Sequence, residues 1–182
     1  MAGFDAFLEI VGIKGETEDK QLKDHIELMS YSFGASQAGA FAYGGGGGTG
    51  KVQFQDFHFN KRCDKASPDL FIHCATGKHL KSATMKVRKA SGKQEIYFKA
   101  EFTDILVSSY TVSGQGSGDP IPTESISFNF DKMQVSYNTQ KSDGSFAGFV
   151  DKFWSLKGNQ GSPVYGAVSD QRSAFSLEGG TR

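Results

Sequence analysis

Between Ile26 and Phe59 two runs of alternating apolar and polar residues flank a long glycine-studded segment. The first run reads I-E-L-M-S-Y-S-F, the segment continues Q-A-G-A-F-A-Y-G-G-G-G-G-T-G, and the second run is K-V-Q-F-Q-D-F-H-F. Alternation with period two marks a strand that sends successive side chains to opposite faces. In the first run Ile26 and Leu28 share a face with Ser30 and Ser32, while Met29, Tyr31 and Phe33 take the other. Neither face is cleanly polar, so protein is expected on both sides. The glycine segment is too long for a hairpin turn, and long loops without structure of their own are uncommon unless functional. With aromatics at Phe41 and Tyr43, it reads as an arm used in assembly.

The same alternation recurs along the chain. Phe4, Ala6, Leu8 and Ile10 suggest a first strand. In the second flanking run the phase changes between Phe54 and Phe57, which predicts a bulge at Gln55–Asp56. Ala83, Met85 and Val87, a turn at Ser91–Gly92, then Ile96, Phe98, Ala100 and Phe102 read as a hairpin over 80–103. Strand continues from Ile105 to Val112, and S-G-Q-G-S-G-D-P-I-P at 113–122 is turn chemistry. Ile126, Phe128 and Phe130 are followed by Met133, Val135 and Tyr137, so the phase slips again at Asp131–Lys132. A last strand spans Phe149 to Leu156.

One helix is written between Ser67 and Gly77, with Ser67 as N-cap, Pro68 at the first helical position, Asp69 in the first turn and Gly77 as the left-handed stop. Leu70, Phe71 and Cys74 form its apolar stripe. The 16 Phe and 6 Tyr, set against 4 Pro, favour strands over other structure. The expected fold is all-β with one short helix: a closed barrel or sandwich of about eight antiparallel strands. Residues 1–157 form the domain, and 158–182 read as a mobile C-terminal extension.

Composition narrows the function. Twenty basic and 20 acidic residues cancel, which argues against a nucleic-acid partner. No apolar stretch reaches the roughly 18 residues of a membrane helix, and Asp5 and Glu9 interrupt any apolar leader. Cys63 and Cys74 make no disulfide framework, so the chain is expected to begin in a reducing cytosol.

Catalytic motifs fail on inspection. Gly45-x-x-x-x-Gly50-Lys51 is the skeleton of a phosphate loop, but Val52 stands where the magnesium ligand belongs and a strand follows. Four histidines and two cysteines show no zinc-ligand spacing, and no nucleophile elbow is present. No cofactor or catalytic residue is therefore expected. Glu16, Glu18, Asp19 and Asp24 cluster in a charged loop over 14–25, read as solvated. The basic cluster containing Lys86 and Arg88 is either a solvated face or a contact for the acidic loop of a neighbouring copy.

Several stretches then line up in order. V-x-G-I-K-G-E-T-E-D-K, the Tyr31–Gly34 motif and the polyglycine arm ending at Lys51–Val52 are followed by D-K-A-S-P-D-L with C-A-T-G-K-H. After L-V-S-S come T-E-S-I-S-F-N-F and V-S-Y-N-T-Q-K-S-D-G. Over roughly residues 3 to 157 this resembles the haemolysin co-regulated protein (Hcp) family of bacterial type VI secretion. The resemblance implies a β-barrel-like subunit without enzymatic activity. Six copies would form a ring, and rings would stack into the inner tube of a machine with a contractile sheath. Small effector proteins would sit in the channel and a spike protein would cap the tube. It implies a bacterial cytoplasmic protein that is secreted without a signal peptide and never inserts in a membrane.

On this reading Phe41, Tyr43, Gly44, Gly45, Gly46, Gly47, Gly48, Lys51, Lys86 and Arg88 belong to subunit contacts, and Ser30 and Ser32 face the channel. The competing expectation is a monomeric barrel holding a small apolar ligand.

Overall fold

The computed structural model describes residues 4–37, 52–90, 94–142 and 145–163. The strands are β1 (Phe4–Ile10), β2 (Ile26–Leu28), β3 (Ser30–Ser32), β4 (Ala35–Ser36), β5 (Gln53–Phe54) and β6 (Phe57–Arg62). Helix α1 (Ser67–Thr76) follows, then β7 (Leu80–Lys89), β8 (Ile96–Ser113), β9 (Thr123–Gln140), β10 (Phe146–Ser155) and β11 (Gln160–Gly161). Nine strands form one antiparallel sheet in the order β11-β10-β9-β8-β7-β1-β2, with β6 on the first part of β9 and β3 on β6. β4 and β5 form a separate two-stranded ribbon.

The sheet is not closed into a barrel, contrary to the expectation from the sequence. β2 pairs with β1 and β3 pairs with β6, and Met29 between them belongs to neither ladder. Its N–H bonds the carbonyl of Asn60 at 2.8 Å, and its side chain is 57% exposed. The extra residue reverses the phase. Ile26 and Leu28 are buried, but beyond Met29 it is Tyr31 and Phe33 that pack on the core, while Ser30 and Ser32 are exposed. The single face expected for Ile26, Leu28, Ser30 and Ser32 is thus split in two.

The expected slip at Asp131–Lys132 is present and shared by three strands. Inward residues change parity from Phe130 to Met133 on β9, from Ile105 to Phe102 on β8, and from Leu80 to Ala83 on β7. At that level Asp104 adopts φ 52° and drops out of the register on both sides. The strands run through this bend unbroken. Inside it, Phe57, Phe102, Phe128 and Phe130 form a contiguous aromatic core, with centroids 4.8 Å apart for Phe57–Phe102 and 5.0 Å for Phe102–Phe130. Such pairs add to the burial of large apolar area.

Helix α1 ends as expected, with Gly77 at φ 65° and its N–H on the carbonyl of His73. Its start differs: Ala66 is the N-cap, with no capping side chain. Ser67 instead turns its hydroxyl inward to accept from the Asp64 amide (3.0 Å) and from Lys61 Nζ (3.1 Å). Of the expected stripe Leu70 is buried, whereas Phe71 is 55% exposed against the Tyr110 ring. Within the expected extension, β11 pairs with β10. Residues 164–182 lie outside the described residues.

The helix is tied to the sheet by charge. Lys61 and Glu124 face each other across β6 and β9 with fully buried side chains, Nζ to Oε2 at 2.8 Å. Lys61 Nζ also reaches Asp64 Oδ1 (2.6 Å) and the Arg62 carbonyl (2.9 Å). Glu124 Oε1 accepts from the Tyr110 hydroxyl at 2.5 Å and from Cys63 Sγ at 3.3 Å. Burial works to raise the Glu124 carboxyl, but the bonds from Lys61 and Tyr110 outweigh it and hold it below the usual range. Burial, and then the bond to this carboxylate, pushes both the Tyr110 hydroxyl and the Cys63 thiol up.

Removing one partner of such a pair strands the other charge and costs about 3–5 kcal/mol. Lys61→Met is therefore expected to lower unfolding free energy by about that amount in a urea titration. Combining it with Glu124→Leu is expected to recover much of the loss.

Candidate assembly and channel surfaces

Residues opposite each other on paired strands share a face. On β3 and β6, Ser30 lies opposite Asn60 and Ser32 opposite His58. These continue onto β9, where His58 meets Ser127 and Asn60 meets Ser125. On β8, Ser109 lies opposite Ser127, Thr111 opposite Ser125 and Ser113 opposite Thr123. Residues of the other parity, including Phe57, Phe59, Ile126 and Phe128, are buried in the core. Four strands therefore present one face composed of hydroxyls with an amide and an imidazole. Asn60 donates to Ser30 Oγ at 2.8 Å. Arg62, at the end of this face, is paired with Asp119 at 2.6 Å. At the other end Asp56 accepts from Ser108 Oγ (2.5 Å), which lies 2.9 Å from Ser127 Oγ, and from Asn129 Nδ2 (3.0 Å), so the surface offers donors and acceptors with a charged group at each end.

Only Ser30 and Ser32 of this face were singled out from the sequence. His58, Asn60, Ser125, Ser127, Ser109 and Thr111 were missed, although each alternates with an apolar residue in its own strand.

Lys86 and Arg88 lie elsewhere, on the outward side of β1 and β7. Arg88 is 4% exposed. Its Nη2 donates to Asp19 Oδ2 at 2.6 Å, and Nε and Nη2 both reach Asp5 Oδ2 at 3.3 Å. Its guanidinium lies 4.9 Å from the centroid of the Phe7 ring. Lys86 Nζ donates to Glu9 Oε2 at 2.8 Å and lies 3.0 Å from His25 Nε2. Lys65 joins from the far side through Asp24 (3.2 Å), and its amide donates to Glu16 (2.8 Å).

The loop 14–25 is consequently folded down, with Leu22 and His25 buried, while Lys14, Glu16, Glu18, Lys20 and Lys23 stay exposed to solvent as expected. Gly15 is required there, since a Cβ would fall 2.1 Å from the His25 carbonyl oxygen. The acidic loop expected to meet a neighbour's cations holds those of its own chain.

Asp19 serves both sides of this clasp. While Oδ2 holds Arg88, Oδ1 accepts the amides of Gln21 (2.9 Å) and Leu22 (3.1 Å). The Arg88 bond first, and then the Gln21 amide, lower its carboxyl to about 2. The Lys86 bond similarly lowers Glu9. A carboxyl depressed in the folded state contributes stability above its unfolded value near 4. That contribution is lost as pH falls toward about 2. Asp19→Asn is expected to flatten the pH dependence of unfolding across this window, measured by denaturant midpoints at successive pH values.

The roots of the glycine arm are fixed. Ala35 pairs with Phe54 and Ser36 with Gln53, and the Gln55 amide bonds the Gly34 carbonyl at 2.9 Å. Phe33 stacks on Phe98, and Phe54 packs edge-on to Phe130. The arm itself, with Phe41, Tyr43, Gly44 to Gly48 and Lys51, lies outside the described residues. Among the described residues no group of three or more His, Cys, Asp or Glu could hold a metal ion. No helix among them is long and apolar enough to cross a membrane.

An antiparallel sheet with a polar wall on one side and one short helix matches a defined class of secretion protein. The family profile described as type VI secretion system effector, Hcp, matches residues 7–137. Protein hcp1 of Pseudomonas aeruginosa is 40% identical over 157 residues, covering 85% of this chain and 96% of that protein. The crystal structure of Hcp1 from Salmonella typhimurium superimposes with a TM-score of 0.73 at 29% identity, covering 88% of this chain and all of that one. A solved type six secretion system protein gives 0.83 at 26% identity over the same share of this chain.

The chain belongs to the Hcp family of type VI secretion tube proteins, which assemble into rings and are secreted. The small-ligand barrel finds no support among these relatives, and its closed wall is not formed.

Proposed function

We propose that six copies of this chain form a ring, that rings stack into the inner tube, and that the hydroxyl face carrying Ser30 and Ser32 lines the channel. That face is the observation that carries the reading. It spans four strands, it is held rigid by the aromatic core behind it, and between Asp56 at one end and Arg62 at the other its exposed groups are hydroxyls, an amide and an imidazole. Small effectors can slide along such a wall or be held by exchangeable hydrogen bonds. The chain performs no catalysis. The spike protein at the tube end and the contractile sheath around it complete the set of partners. The arm, through Phe41, Tyr43, Gly44 to Gly48 and Lys51, meets adjacent subunits. Lys86 and Arg88 contribute by setting the shape of the loop they hold.

Light scattering on the purified chain is expected to give a six-fold mass, and a monomer under all conditions would overturn the ring. Phe41→Ala with Tyr43→Ala is expected to weaken assembly. Ser30→Arg with Ser32→Arg is expected to leave the ring mass intact while reducing co-purification of a channel-sized effector. Unchanged co-purification would remove that face from the channel.

A further inference from the structure

The polar face carries one charge that no neighbour offsets. Asp56 lies in the two-residue break between β5 and β6, where it has no ladder partner. Ser108 is likewise the extra residue at the register shift between Val107 and Ser109 on β8. Extra residues of this kind re-aim a side chain where a ladder is interrupted. Both breaks adjoin one row of the sheet, in which Phe57 lies opposite Phe128 and Phe128 opposite Val107. The two side chains therefore meet across β9. Ser108 Oγ donates to Asp56 Oδ2 at 2.5 Å, and Asn129 Nδ2 donates to Oδ1 at 3.0 Å. Ser108 and Asn129 are exposed and Asp56 is half-buried. Neutral donors thus fix the carboxylate at both oxygens while its charge stays at the surface.

The cations at this end are committed to other carboxylates. Lys157 shares a hollow with Asn129 and is bonded to Asp104, which His79 Nδ1 also reaches at 2.7 Å. Asp131 lines the same hollow, its Oδ1 accepting the Lys157 amide at 2.8 Å. Three carboxylates therefore stand against one lysine and one histidine. Among the described residues no Lys, Arg or His pairs with Asp56. At the opposite end of the face, Arg62 is neutralised by Asp119 at 2.6 Å. A charge held by neutral donors and left without a counter-ion projects its field into the space before it. Each Asp56 oxygen also keeps a second lone pair, so an incoming ammonium or guanidinium can bond without displacing Ser108 or Asn129.

This inference rests on the reading of the polar face as the channel wall. Six copies then set six Asp56 carboxylates at one level of the channel, and a ring of like charges selects the sign of what lodges there. We propose that Asp56 is a specificity-determining residue of the channel, selecting cargo proteins that present Lys or Arg at its level over those that present Asp or Glu. The hydroxyls and the amide of the wall bond groups of either sign, and Asp56 supplies the discrimination.

Fluorescein-labelled hexalysine and hexaglutamate peptides supply the test, with the mass of the full-length assembly checked by light scattering for each variant. At low ionic strength the assembled chain is expected to bind hexalysine at least about tenfold more tightly than hexaglutamate, with the preference shrinking as salt is added. Asp56→Asn is expected to remove most of that preference. Asp56→Lys is expected to invert it, a gain of hexaglutamate binding that a damaged fold would not give. A ring of unchanged mass whose preference for hexalysine survives both substitutions would overturn the role of Asp56 and leave the ring standing. A chain that stays monomeric would overturn the ring and this role together.

Discussion

β9 is the strand on which the other parts depend. Along its length it pairs with β8, its first half carries β6, and its second half carries β10. The first half places Ile126 and Phe128 in the core and Ser125 and Ser127 on the polar face. The second half, past the bend at Asp131, supports β10. A single register error in β9 would exchange the core for the polar face, since a slip of one residue sends every side chain to the opposite face. The paired charges of Lys61 and Glu124 oppose such a slip, because only one register brings them together away from water.

Much of this was legible in the sequence. The 80–103 hairpin, the helix with Gly77 at its end, and the phase change after Phe130 follow from period-two counting and turn chemistry. The break at Met29 was not legible, because both parity sets of I-E-L-M-S-Y-S-F contain apolar residues and the count gives no preferred phase. The closed barrel was inferred from strand number and from the hazard of open edges; β2 and β3, on either side of Met29, pair with different strands, and the sheet is not closed. The polar wall was half legible, through Ser30 and Ser32. Its remaining members required knowledge of which strands lie side by side.

The charged residues show the same limit more sharply. Lys61 shares parity with Phe57 and Phe59, and Glu124 shares parity with Ile126 and Phe128, so both inward charges were readable one strand at a time. That they neutralise each other was not, because the pairing joins segments distant in sequence. Arg88 and Asp19 are a parallel case. A charged loop with glycine and threonine looks solvated in isolation, and only the β1–β7 surface beneath it turns those charges inward. Local composition describes a loop's solubility, and tertiary context decides its destination.

The clasp of loop 14–25 bears on the environments this protein crosses. A protein that leaves a bacterial cell passes between media of different ionic strength, and exposed ion pairs weaken as salt rises. Arg88 and Lys61 are withdrawn from water, and their partners approach at hydrogen-bond distance, where mobile ions do not intervene. These two contacts are thus insulated from the change of medium, whereas the exposed Lys65–Asp24 pair at the far side of the loop is not. A subunit assembled in one solution keeps the same shape when it is delivered into another.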